Sequence, residues 1–394
     1  MTDLLTRDGL EHFDEVAADH VGDDRVPGLV ALVARGDQVH VRALGCLSIG
    51  GAGLTRDSLF RIASTTKPLT AAATLALIDE GLLALDHPVS DLLPELATPR
   101  VLRRIDGPLD DTVPVERAIT TRDLLTFTFG FGMSLAMFTT PSPWPVVTAQ
   151  EELHLATLGP PAPDEQPDPD TWIAGLGSLP LMAQPGERWL YNTGACVLGV
   201  LCARAAGMPF AGVLRTRVFE PLGMHDTAFW APDTSRLATA YQPTPAGLEV
   251  WDPPDGQWSH PPAFGDGGAG LVSTVDDLLA FARMLLRGGP PVLSTGAVTG
   301  MTTDHLTDEQ RSRDGAGFLD GLGWGYCQSV IVDGPRAGAY GWDGGLGTSW
   351  LVDPRNDLVV IVLTQRLFEA AHAPAVHADL RDAAYAAVAD PELR

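Results

Sequence analysis

Cysteine is scarce in this sequence. The four present, Cys46, Cys196, Cys202 and Cys327, are scattered and form no C-x-x-C pair, which excludes a disulfide framework and a zinc site of that type. Basic residues are outnumbered as well: 26 Lys and Arg stand against 50 Asp and Glu, a net charge of −24. A phosphate-binding face needs clustered cations, so neither nucleic acid nor an anionic membrane is an expected partner. No run of about eighteen apolar residues is available to span a bilayer. Met1 to Asp8 carry neither the basic flank nor the apolar core of a signal peptide, and a cytoplasmic location is the expectation. No G-x-S-x-G elbow frames a serine, which weakens a Ser-His-Asp reading of the ten histidines. His87, His225 and His305 stand in loop-like surroundings that suit solvated or structural roles. Nothing in the sequence calls for a metal or an organic cofactor.

What is present is an ordinary folded composition. The 394 residues are 45% hydrophobic with 42 Gly and 32 Pro, enough for one large or two closely packed domains with many loops. Residues 4–20 carry an approximate helical stripe. Gly28 to Ala34 and Gln38 to Leu44 then read as a hairpin around Arg35-Gly36-Asp37. Residues 141–170 are rich in Pro and acids and read as exposed loop, and 231–266 form a second Pro- and Gly-rich region. Gly265 to Gly270 resembles a phosphate loop only superficially. It lacks the strand-to-helix frame and Asp266 would repel phosphate, so a tight turn is expected. Thr274 or Ser273 caps a helix running to Leu286. Trp324 to Val332, Ala337 to Tyr340, Thr348 to Val352 and Leu358 to Thr364 are β-rich with short turns, which implies an antiparallel sheet. Ala371 to Val388 reads as a closing helix. The expected fold class is α+β: an antiparallel sheet built from both chain ends and flanked by helices, with a mainly helical insertion. Residues 1–85 plus 270–394 form the first part and 86–269 the second.

Chemistry concentrates at Phe60 to Leu69. If this stretch opens a helix, Ser64 and Lys67 stand one turn apart on one face, close enough to share a proton. A serine hydroxyl is a poor nucleophile until a base takes its proton, and a lysine serves as that base only when neutral, the form that burial favours. Ala71 to Ile78 is almost wholly apolar, consistent with a helix buried on all sides, and Gly81 is a natural stop. Alone, S-x-x-K is short and common, and a capping serine with a snorkelling lysine fits it better.

Three further stretches change that balance. Pro185 to Asn192 delivers Trp189 and Tyr191 from a turn; Phe219-Glu220-Pro221-Leu222-Gly223-Met224 ends a helical unit; Tyr340-Gly341-Trp342-Asp343-Gly344-Gly345 closes a strand. With Ser64-Thr65-Thr66-Lys67 they occur in the order found in serine β-lactamases and penicillin-binding proteins. More narrowly, the chain resembles the class C β-lactamase-like group that includes family VIII carboxylesterases, from about residue 10 to 390. That resemblance implies a β-lactamase/transpeptidase-like fold, Ser64 as the nucleophile of an acyl-enzyme, Lys67 as its base and Tyr191 as a proton relay. It implies an oxyanion hole from the backbone N–H groups of Ser64 and Gly345. Substrate contacts are expected from Trp342, Asp343 and Gly344 and from Thr193 in the N position of the Y-x-N element; Phe127 and Phe129, where many relatives carry His and Ser, suit either an apolar acyl pocket or core packing.

Penicillin-recognising relatives usually carry Lys or His where this chain has Trp342. Tryptophan cannot pair with a carboxylate and Asp343 would repel one. The expected activity is therefore a serine hydrolase, a carboxylesterase on small uncharged or cationic acyl substrates with weak or no β-lactamase activity. Alternatives are a β-lactamase, a D-amino-acid amidase or peptidase, an acyltransferase, and, from another class, a non-catalytic ligand-binding homologue.

Overall fold

The computed structural model describes residues 4–22, 25–140, 142–156, 159–313, 317–370 and 372–388. Residues 1–3 of the N-terminal reading, 141, 157 and 158 of the Pro-rich stretch, and 371 of the closing helix lie outside them. Helix α1 (Arg7–Asp19) is capped by the Thr6 hydroxyl, which accepts the Gly9 N–H, and buries Phe13 and Ala17. The hairpin β1 (Gly28–Arg35) and β2 (Gln38–Gly45) follows, and Gly36 takes the positive φ that its two-residue turn demands.

The sheet is completed only at the far end of the chain, by β3 (Leu322–Trp324), β4 (Ser329–Ile331), β5 (Tyr340–Gly344), β6 (Thr348–Asp353) and β7 (Leu358–Thr364). Its order is β2-β1-β7-β6-β5-β4-β3, antiparallel throughout. The run expected from Trp324 to Val332 divides into two strands because the chain turns back at Cys327, whose φ is positive. Strands β1 and β7 pair from Leu29 opposite Thr364 to Arg35 opposite Leu358.

Alternation along these two strands sorts the core into layers. Leu29, Ala31, Val33, Val360 and Val362 pack with Phe13 of α1 and with Leu380 and Ala384 of α5 (Ala375–Ala386). Val30, Leu32, Ile361 and Leu363 face the other way, into a core shared with α2 (Thr66–Asp79) and α4 (Val275–Leu286). Each buried Val, Leu, Ile or Phe among them contributes about 1.5–3 kcal/mol. The chain ends meet on the first side, where the Thr6 N–H donates to the Ala387 carbonyl.

The middle of the chain is helical, with α3 (Thr193–Ala206) packed against α2. It also holds a hairpin, Ala240–Thr244 with Gly247–Asp252, inside the region read as loop. Pro243 sits in that two-stranded ribbon, where edges are free to accept it. Thr120 caps the short helix Thr121–Leu125 through a reciprocal bond pair with Asp123. Among the described residues no single helix is long and apolar enough to cross a membrane.

Candidate active site

Ser64 lies in a single 3-10 turn, Ala63–Thr65, immediately before α2. Ala63 holds a positive φ of 43°, backbone strain placed directly ahead of the nucleophile candidate. Every residue of α2 from Thr66 to Leu77 is buried. The small residues of this helix let its neighbours approach closely. Gly267 and Gly268 thread between α2 and α3: a Cβ on Gly267 would come 2.5 Å from the Ala195 carbonyl oxygen, and one on Gly268 would come 3.0 Å from both Asn192 Oδ1 and Cys196 Sγ. This turn delivers the carbonyl oxygens that hold α2, with Thr70 Oγ1 donating to Gly267 O at 2.7 Å.

Lys67 is 0% exposed. Its Nζ lies 2.7 Å from the Gly268 carbonyl oxygen and 2.9 Å from Ser64 Oγ. Tyr191 Oη lies 2.9 Å from the same Oγ, and the amine sits 4.6 Å from the centre of the Tyr191 ring. The Trp342 indole N–H donates to Tyr191 Oη at 2.7 Å. With that lone pair engaged, the phenol's own proton is directed at Ser64. The arrangement brings alcohol, amine and phenol within one proton-exchange distance.

Ser64, Tyr191, Trp342 and Gly345 open onto one cavity of about 930 Å³, walled by Met133, Leu135, Phe138 and Phe318. Phe318 stacks on Tyr191 at 5.2 Å. A second cavity of about 1070 Å³, between α1 and the start of α5, contains none of these groups. Among the described residues no histidine bonds Ser64. His87 pairs with Asp91, and His305 lies against Tyr326 and the Gly300 carbonyl. Among the described residues no group of three or more His, Cys, Asp or Glu is placed to hold a metal ion.

Gly345 faces the cavity, and its carbonyl accepts the Phe368 N–H at 2.9 Å, which fixes the peptide at the end of β5. Gly344 does not line the cavity. A Cβ there would come 2.2 Å from Thr348 Oγ1 and 2.3 Å from the Ile62 carbonyl oxygen, so this glycine lets β5 close on the turn carrying Ser64. Thr348 Oγ1 donates to that Ile62 oxygen at 2.9 Å and ties β6 to the same turn.

Four other expectations are corrected. Phe127 and Phe129 are fully buried core residues; Phe127 packs behind the site against Trp324 and Tyr191, with ring centres 5.0 and 5.9 Å away. Thr193 is buried at the first turn of α3, and Asn192 lines the cavity in its place, held there by a positive φ of 78°. The motif register misled here, since the amide stands one position earlier. Asp343 borders the cavity, but its carboxylate is engaged by Arg381 of α5, and His377 stands 3.8 Å away. Burial alone would raise this carboxyl, but the Arg381 guanidinium, with His377 and Ser349 beside it, holds it well below the usual range. Its charge is compensated and does not repel a substrate carboxylate.

Sequence reasoning also missed Asp266, which it placed in a structural turn. The residue lines the cavity, and its Oδ1 accepts the Gly268 N–H at 2.7 Å and the Cys196 thiol at 3.1 Å. Burial, then the Asp266 charge, push that thiol far above its ordinary value, so it remains a donor. The usable signal was an acid inside a run of glycines and alanine.

A family profile described as Beta-lactamase matches residues 13–385. Protein Rv1367c of Mycobacterium tuberculosis is 38% identical over 390 residues, covering 93% of this chain and 90% of that protein. Esterase EstB of Burkholderia gladioli is 34% identical, covering 92% and 91%. Among solved structures, EstCE1, described as a hydrolase with promiscuous acyltransferase activity, superposes with a TM-score of 0.81 at 25% identity, covering 96% of this chain and 98% of that one. Taken with the antiparallel sheet and the order of the motifs, these matches establish that the chain belongs to the β-lactamase family, as a serine hydrolase of its esterase- and penicillin-binding-protein-like branch.

Proposed function

We propose that the protein is a carboxylesterase that works through an acyl-enzyme on Ser64. The observation that carries this is the convergence of Lys67 Nζ and Tyr191 Oη on Ser64 Oγ, each at 2.9 Å, at the wall of a largely apolar cavity. Lys67 takes the hydroxyl proton as Oγ bonds to the ester carbonyl carbon. The resulting oxyanion is received by the N–H groups of Ser64 and Gly345. The carbon–alkoxide bond then breaks, and Tyr191 passes the proton to the leaving oxygen. Water enters along the same path to release the acid.

Small acyl esters are favoured over β-lactams on one ground. A β-lactam carries a carboxylate, and no Lys or Arg lines the described cavity to receive it. Trp342 occupies the place of the cation, with its only donor committed to Tyr191. The likeness to Esterase EstB supports the same substrate class. A second reading, acyl transfer, is supported by the room in the cavity for an acceptor alcohol beside the acyl group and by the description of EstCE1.

A fluorophosphonate probe and p-nitrophenyl acetate test the proposal. Stoichiometric labelling and turnover are expected from the intact protein, both lost in Ser64→Ala. Absence of labelling in the intact protein would support a non-catalytic homologue instead. Added alcohol that diverts product from acid to a new ester would establish transfer.

A further inference from the structure

We propose that the cavity selects substrates bearing an ammonium group, and that Asp266 is the residue that reads it. The claim names the substrate class of the site above and rests on that reading for its turnover.

Charge in the described lining is of one sign. Six carboxylates face the cavity, and no Lys or Arg does; the remaining ionisable side chains with basic character are His154 and His372. Two of the six are compensated from outside, Asp343 by Arg381 and Glu369 by Arg366. Glu151, Glu165 and Asp320 lie exposed at the rim, where water screens them.

Asp266 differs from these three. It is only 6% exposed, and among the described residues it forms no ion pair. Its hydrogen bonds, from the Gly268 N–H and the Cys196 thiol, both go to Oδ1. Those bonds account for its part in shaping the glycine turn. Among the described residues they leave Oδ2 without a protein donor, on a residue that lines the substrate cavity. A carboxylate oxygen of a largely buried residue that lines a cavity and lacks a protein donor gains from a cation brought by a ligand. It also lies two residues from the carbonyl that holds Lys67, on the side of the cavity next to the nucleophile.

The walls suit the same ligand. Trp342, Phe138, Phe318 and Phe368 present ring surface to the cavity, and ring faces attract ammonium groups. The net charge of −24 adds a long-range field of the same preference. An anionic substrate meets the opposite in every respect.

The test compares two thioesters that differ in charge and not in shape, acetylthiocholine and 3,3-dimethylbutyl thioacetate, followed by thiol release. The intact protein is expected to favour the cationic one in kcat/KM by about tenfold at low salt, the effect of one partly screened charge pair. Asp266→Asn keeps an oxygen for the Gly268 N–H and is expected to bring the ratio near one. Glu165→Gln at the rim is expected to lower it only about twofold, and less as salt is added. A ratio near one in the intact protein, or a ratio kept in Asp266→Asn, overturns the proposal. Calorimetric titration of the intact protein with choline and with 3,3-dimethylbutanol needs neither a variant nor turnover. Preference for choline supports the cation site, and equal binding overturns it. Failure of both thioesters with choline preference intact would refute the catalytic reading alone.

Discussion

Replacing Trp342 by phenylalanine removes one hydrogen bond from the centre of the site and keeps an aromatic ring in place. The bond lost is the 2.7 Å indole N–H to Tyr191 Oη. Its worth depends on what the phenol does. If Tyr191 gains negative charge while relaying a proton, the bond is charge-assisted and worth about 1.5–3 kcal/mol. That converts to a fall of about 10- to 150-fold in kcat/KM. If the phenol stays neutral throughout, the bond is worth about 0.5–1.5 kcal/mol and the fall is about 2- to 12-fold. The ring also packs on Trp324 at 4.8 Å, so part of any loss is structural, and urea denaturation measures that part separately. The decisive assay is a double-mutant cycle on p-nitrophenyl acetate hydrolysis with Trp342→Phe, Tyr191→Phe and both together. Because the indole acts through the phenol, Trp342→Phe is expected to cost almost nothing once Tyr191 is phenylalanine. Equal fold-losses in the two backgrounds would refute this and leave Trp342 as a shaper of the cavity.

Other expectations follow from the same geometry. Phe127→Ala is expected to cost about 3–5 kcal/mol of stability as a core cavity, with the ranking of acyl chain lengths unchanged in the folded fraction; an altered ranking would return Phe127 to the substrate site. Gly344→Ala forces β5 off the Ile62 carbonyl and is expected to lower kcat at least tenfold with less change in KM, since the oxyanion donor moves and the cavity wall does not. The depressed Asp343 carboxyl stabilises the fold fully above about pH 4, its unfolded value, and that contribution is lost as pH falls below it toward the folded value. Asp343→Asn is therefore expected to lose stability at neutral pH and to show a shallower decline between about pH 5 and pH 2. Denaturant midpoints at stepped pH would read this, and an acid limb as steep as that of the unaltered protein would count against the Arg381 pairing.

The parts of this molecule that were legible in the sequence are those fixed by short-range pattern. Ser64 and Lys67 share a helical turn, and β1, β2, β6 and β7 announce themselves by apolar runs and turn residues. Tyr191 was reached through the order of motifs and not through any local feature. What escaped depends on partners distant in the chain. Asp343 and Arg381 meet because a helix crosses behind a strand. Phe127 suits a pocket or the core equally from the sequence, and its total burial reflects aromatic neighbours contributed by residues 189 and 324. Asp266 was dismissed because it spoils a phosphate loop; the same charge is what makes the turn notable in a cavity.

The pairing of β1 with β7 joins segments from opposite ends of the chain. During synthesis the first hairpin leaves the ribosome with one bare flank, and the strand that will cover it follows only after the whole middle of the chain has been made. Until then β1 is a sticky template for any other extended segment, its own copies included. Nascent chains of this protein therefore depend on being shielded until β7 has emerged. A premature stop after β6 would leave the polypeptide with a permanently open seam through the middle of its sheet, destined for aggregates and not for a smaller working enzyme.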